Sequence, residues 1–228
     1  MLGARRGPYR QKGLSLVELM VGITVGLFVA AAAAMLVANQ LSSNRRLLLE
    51  TQIQQDLRST ADIVTRELRR AGYSLAMDAW VWPDGTEAPN ANQGILTPST
   101  SEVRFVYNRA PGETGPYGFK FDAATNTIKS QLADAGWQEL TDRRSLKITA
   151  FTITDLGTAP TQLPCPKLCA DGTKACWPVY RVRDYRVDIA GEAVSDSNVQ
   201  RSLSTNVRIR NDYVEYKDPL NPNLICPK

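Results

Sequence analysis

The chain of 228 residues contains no histidine. That removes the side chain that most often acts as a general base near neutral pH and as a zinc ligand. It also excludes a Ser-His-Asp triad. Proline is missing from residues 9–82, and residues 14–71 hold only two glycines, Gly22 and Gly26. A stretch so free of helix breakers can run as one helix. No acid precedes Glu18, and none lies between Glu18 and Glu50. Cysteine is absent until Cys165, and no glycine-rich phosphate loop occurs. Nothing marks an enzyme or a cofactor site.

With 43% hydrophobic and 22% charged residues, the composition is that of a folded domain and not of a disordered chain. The length suits one domain plus a membrane segment. The formal net charge is +4, and Arg5, Arg6, Arg10 and Lys12 account for it: 27 basic residues less these four leaves 23, against 23 acids. The remainder is neutral and offers no broad nucleic-acid surface. The four N-terminal charges read as a topology signal that keeps this end cytoplasmic.

Residues 14–38, "LSLVELMVGITVGLFVAAAAAMLVA", form an apolar run with one charge, Glu18. As a helix the run spans roughly 37 Å at ~1.5 Å per residue, enough to cross a bilayer core of about 30 Å. It is too long for the apolar core of a secretory signal, usually ~7–15 residues. A plain signal anchor accounts for the length but not for a carboxylate inside the run.

The basic leader, Gly13 and then Leu14-Ser15-Leu16-Val17-Glu18 resemble the type III signal of type IV pilins and pseudopilins. Leu14 stands where that family more often has phenylalanine. The resemblance implies that a prepilin peptidase cuts between Gly13 and Leu14, and that the new Leu14 amine is N-methylated. It further implies that Glu18 pairs with the Leu14 amine of a neighbouring subunit in a filament. A buried ammonium is tolerated when a carboxylate partners it.

Beyond the run, Ile53, Leu57, Ala61, Val64, Leu68 and Ala71 repeat at helical spacing and predict one apolar face. Gly72 fits a helix C-cap after a basic last turn. The helix is therefore expected to continue to about residue 71. The stretch "DLRSTADIVTRELRRAGY" and the later "STNVRIRN" resemble the helix end and final strand of PilW-type minor pilins and the related J-type pseudopilins.

Residues 73–101 are rich in Pro, Gly, Asn, Ser and Thr and are expected to form a loop, with Trp80 and Trp82 anchoring it on the domain. Strand patterns follow at 102–108, at 117–122 and 126–132 around an "AATN" turn, and at 145–154, 179–191 and 201–216. In 145–154 the apolar parity changes between Ile148 and Phe151, which predicts a bulge or two-sided burial. A long helix followed by strands gives an α+β class. The resemblance implies the type IV pilin fold, a long helix packed on a C-terminal antiparallel sheet.

Cys165, Cys169, Cys176 and Cys226 lack the paired CxxC knuckles of a zinc site. In a domain outside the cytoplasm they are expected to form two disulfides. Four cysteines allow three connectivities, among which the sequence does not choose. The pairing preferred is Cys165–Cys176 with Cys169–Cys226, a bridge to Cys226 serving to staple the tail to the sheet. "ADGTK", residues 170–174, reads as a turn and not as a calcium loop.

Five segments are thus expected: a cleaved leader (1–13), a transmembrane and filament-core helix (14–38), its amphipathic continuation (39–72), a loop (73–101) and a sheet domain (102–228). The resemblance implies a minor type IV pilin, held in the bacterial inner membrane by a single span with its C-terminus in the periplasm and later built into a pilus. Its partners would be other minor and major pilins, the prepilin peptidase, an inner-membrane assembly platform and, before assembly, membrane lipid. Two alternatives are a minor pseudopilin of type II secretion and a membrane-anchored periplasmic binding protein that does not polymerise.

Overall fold

The structure, a computed structural model, describes residues 13, 15–75, 94–215 and 226. The chain divides into two compact units, Met1–Leu48 and Leu49–Lys228. One helix, α1 (Leu16–Arg69), contributes to both. It runs through Gly22 and Gly26 without interruption. Within the first unit, every helical residue is exposed.

In the second unit α1 turns an apolar stripe inward. Ile53, Leu57, Ala61, Val64 and Leu68 are buried, and Ala71 follows just beyond the last turn. Gly72 then adopts a positive φ of 78°, the left-handed geometry that a glycine accepts at a helix C-cap. The amide of Gly72 donates to the Val106 carbonyl at 2.9 Å, and the Asn108 amide donates to the Tyr73 carbonyl at 2.9 Å. The helix exit is thereby stitched to a strand.

The strands, expected to make one antiparallel sheet, are divided among three. The first holds β1 (Ile95–Ser99), β2 (Glu102–Ala110), β3 (Glu113–Asp122), β4 (Thr127–Leu132) and β5 (Trp137–Glu139), in that order. The second holds β6 (Leu146–Asp155), β9 (Asp184–Ala193) and β10 (Asp196–Arg208), with β9 central. The third is small: β7 (Thr161–Gln162), β8 (Val179–Arg181) and β11 (Tyr213–Glu215), with β8 central. All pairings are antiparallel. Two backbone bonds join the first two sheets, from the Ile148 amide to the Asn126 carbonyl (2.9 Å) and from the Ile153 amide to the Thr100 carbonyl (2.7 Å).

One core serves α1 and the two larger sheets. It contains the helix stripe, Val103, Phe105 and Tyr107 of β2, Tyr117 and Phe119 of β3, Ile128 of β4, and the inward residues of β6, β9 and β10. In β6 the register shifts between Ile148 and Ala150. The extra residue, Thr149, resets the alternation, so Leu146, Ile148, Phe151 and Ile153 are all buried. This bulge is the one that the change of parity predicted.

The expected loop and two of the expected strands are corrected. The loop over 73–101 is not wholly irregular: its end, Ile95–Ser99, is the edge strand β1. Pro98 masks it in the sequence, yet an edge position accommodates proline because no ladder donor is required there. The segment 179–191 is not one strand but two, β8 and β9, and 201–216 divides likewise into β10 and β11. The breaks lie opposite each other, where the Ile209 amide donates to the Arg183 carbonyl at 3.0 Å. Arg183, only 3% exposed, fills the gap and donates through Nε to the Asn211 carbonyl at 3.1 Å. Burial pushes its proton affinity down, but an arginine keeps its charge.

Candidate functional site

The first turn of α1 carries the carboxylate of Glu18. The Leu19 amide donates to the Ser15 carbonyl at 3.0 Å, so Ser15 stands just before the first helical residue, Leu16, and Glu18 is the third residue of the helix. An acid there faces the positive end of the helix dipole. Gly13 is exposed, with open space around its Cα. Leu14, expected at the cleavage and methylation site, lies outside the described residues, as do leader residues 1–12, Trp80, Trp82 and most of the tail before Cys226.

From residue 16 to residue 38 the helix exposes apolar side chains in all directions. Phe28 is 78% exposed and Leu16 74%. Among the described residues α1 is the helix long and apolar enough to cross a membrane. A surface so apolar over this length calls for lipid or for neighbouring helices as its solvent. Within residues 16–44 Glu18 is the sole charge.

The other end of α1 is fastened by buried polar groups. Glu67, 9% exposed, accepts a hydrogen bond from the Tyr107 hydroxyl at 2.5 Å and an ion pair from Arg70 at 3.3 Å. Burial, reinforced by this bond to Glu67, pushes the Tyr107 hydroxyl up to about 12. The Tyr107 ring stacks on Tyr117 with centroids 4.1 Å apart. After β10 the Arg210 amide donates to the Arg69 carbonyl at 3.2 Å, and the Asn211 side chain donates to the Ala71 carbonyl at 3.2 Å. Two carbonyls at the helix end thereby find donors. The roles of Glu67, Tyr107 and Arg183 escape sequence reasoning. For Glu67 the one signal is an acid beside Leu68 on the apolar face.

All four cysteines are oxidised, but the preferred pairing is wrong: the bridges are Cys165–Cys226 and Cys169–Cys176. The cause is a tight turn. Gly172, at φ 74°, donates its amide to the Cys169 carbonyl, and the Cys169 amide donates to the Thr173 carbonyl, each at 2.9 Å. Asp171 braces the turn by accepting from the Thr173 hydroxyl (2.7 Å) and amide (2.9 Å), contacts that hold its carboxyl below the usual range. The turn brings Cys176 back to Cys169. Cys165 then meets Cys226, with Trp177 in the same buried cluster. The Asp171-Gly172 pair was the available signal.

An open groove of about 370 Å³ is lined by Gln52, Asp56, Ser59, Thr141, Asp142 and Ser145. Partial burial, then the nearby Asp142, raises the Asp56 carboxyl above its ordinary value. Among the described residues no group of three Cys, Asp or Glu side chains is arranged to hold a metal ion.

A family model described as prepilin peptidase-dependent protein B matches residues 46–209. A second, the prokaryotic N-terminal methylation motif, matches residues 8–34, a span that includes Gly13, Leu14 and Glu18. No curated protein and no solved structure matches the chain.

Proposed function

The chain belongs to the prepilin peptidase-dependent protein B family, and from that premise we propose that it works as a minor type IV pilin. Its type IV pilin-like character rests on that family together with the methylation motif, and the family is structural, not enzymatic. In the proposed course of events the subunit is held in the inner membrane by residues 14–38, with the sheet domain in the periplasm. The prepilin peptidase cuts after Gly13, and the Leu14 amine is methylated. An assembly platform then moves the subunit into a filament, where it joins other minor and major pilins in a priming complex near the tip.

The observation that carries this reading is the lone carboxylate of Glu18 in the first turn of a helix that is apolar and exposed from residue 16 to residue 38, apart from that acid. In lipid a carboxylate has no gain to offset its desolvation. In a bundle of helices it can neutralise a neighbour's N-terminal ammonium. Losing one partner of such a buried pair costs ~3–5 kcal/mol.

The test is Glu18→Ala. Mass spectrometry of the membrane fraction is expected to show the leader removed from both chains. Sheared filaments are expected to contain the wild-type chain and to lack the variant. Normal incorporation of Glu18→Ala would overturn the role given to this acid, and an uncut wild-type chain would overturn the processing. A pseudopilus subunit would share these outcomes. Deletion scored for twitching against exoprotein release separates the two, with loss of twitching expected.

A further inference from the structure

Residues 19–44 carry no charge, and the first cations after Glu18 are Arg45 and Arg46. At ~1.5 Å per residue this uncharged stretch spans roughly 40 Å. That exceeds the hydrocarbon core of ~30 Å but matches the ~40–45 Å of a bilayer with its headgroups. Counted from Glu18, near the start of the run, the arginines therefore fall at the far headgroups and not inside the hydrocarbon. The last part of the stretch is polar but uncharged: Asn39, Gln40, Ser42, Ser43 and Asn44, a composition suited to the interfacial zone. Gln40 donates to Asn44 at 3.3 Å along the helix surface.

An apolar stripe also continues past the arginines. Val37, Leu41 and Leu48 are spaced by four and seven residues, on one helical face. They are 59%, 64% and 72% exposed. Arg45 follows Leu41 by four residues, on the same side. Arg45, one turn beyond Leu41, stands where a cation meets the phosphate layer.

We propose that Arg45 and Arg46 form a collar that binds the phosphates of anionic phospholipid in the leaflet opposite the leader, with Leu41 one turn to their membrane side. The proposal rests on the membrane-inserted state described above. The occupant is lipid because the length matches the bilayer and the charge is opposite to that of an anionic headgroup. The collar fixes how deep the helix sits. Cleavage after Gly13 would remove Arg5, Arg6, Arg10 and Lys12, so in the processed chain the collar becomes the basic flank of the span.

Full-length protein reconstituted in vesicles tests this. The native cysteines are in disulfides, so Ser42→Cys gives a unique thiol for a fluorophore. Acrylamide, an uncharged quencher, reads its exposure to water. In vesicles of phosphatidylcholine with a third phosphatidylglycerol, quenching is expected to be about twofold weaker than in phosphatidylcholine alone. The difference should vanish in Arg45→Gln/Arg46→Gln, return in Arg45→Lys/Arg46→Lys and fade in 1 M salt. Vesicle flotation, run in parallel, reports insertion. Equal quenching in both lipids with full flotation would overturn the collar and leave the span standing. Failure to float would overturn the membrane-inserted state itself. Shielding that follows protein density and not lipid charge would assign the surface to a neighbouring chain and also overturn the proposal.

Discussion

Tyr107 and Glu67 show how single residues hold the helix to the sheet. The hydroxyl is the donor that a nearly buried carboxylate needs, and Arg70 supplies only a longer, partly exposed contact. Tyr107→Phe keeps the ring stacking and removes that donor. The expected cost is about 1–3 kcal/mol, the usual penalty for stranding a buried acceptor, read as a lower urea midpoint at unchanged slope. The same pair sets an alkaline limit. With the Tyr107 hydroxyl pushed up to about 12, the unfolded chain releases a proton near the ordinary tyrosine value of about 10 while the folded chain keeps it. Stability is therefore fully present below about pH 10 and falls as pH rises through that window. Tyr107→Phe should flatten this fall, as urea unfolding at pH 9 and pH 11 would reveal.

At the scale of elements, the two disulfides should differ in weight. Cys165–Cys226 closes a span of 61 residues and Cys169–Cys176 one of 7. The chain-entropy account gives about 4 kcal/mol for the long ring and about 2 kcal/mol for the short one. Cys165→Ser/Cys226→Ser is accordingly expected to lower the urea midpoint further than Cys169→Ser/Cys176→Ser. The turn at 170–174 was legible, but the bridge pattern was not drawn from it, because the partner of Cys165 is set by where the distant Cys226 lies. The helix was legible for the opposite reason. The stripe from Ile53 to Ala71 repeats a single period, and each of its residues is buried. The bulge in β6 was legible because a change of parity is itself a local signal. The breaks that separate β8 from β9 and β10 from β11 were not, since each is imposed by the strand across from it and by a buried arginine. For the assembly segment, the motif around Glu18 is contiguous and could be read directly. The fastening of the other helix end joins residues as distant as Ala71 and Asn211, and no local pattern announces it.

At the scale of the molecule, every buried core residue among those described lies at or beyond Ile53. A chain trimmed to residues 49–228 is therefore expected to fold cooperatively, with a stability within about 0.5 kcal/mol of the full chain's in detergent. Loss of a cooperative urea transition in the trimmed chain would contradict this. The long disulfide has a mechanical meaning as well. The covalent ring from Cys165 to Cys226 encloses β8, β9, β10 and β11, while β6, the partner of β9, lies outside it. Traction entering through α1 reaches Cys165 before any residue of β9 or β10, and the load then passes through sulfur to Cys226. The 61 residues of separation, roughly 200 Å if drawn straight at ~3.3 Å each, are withheld from extension. A tug that tears out β6 cannot unravel the two strands behind it, so most of the second sheet is inextensible at any force that leaves the bridge intact.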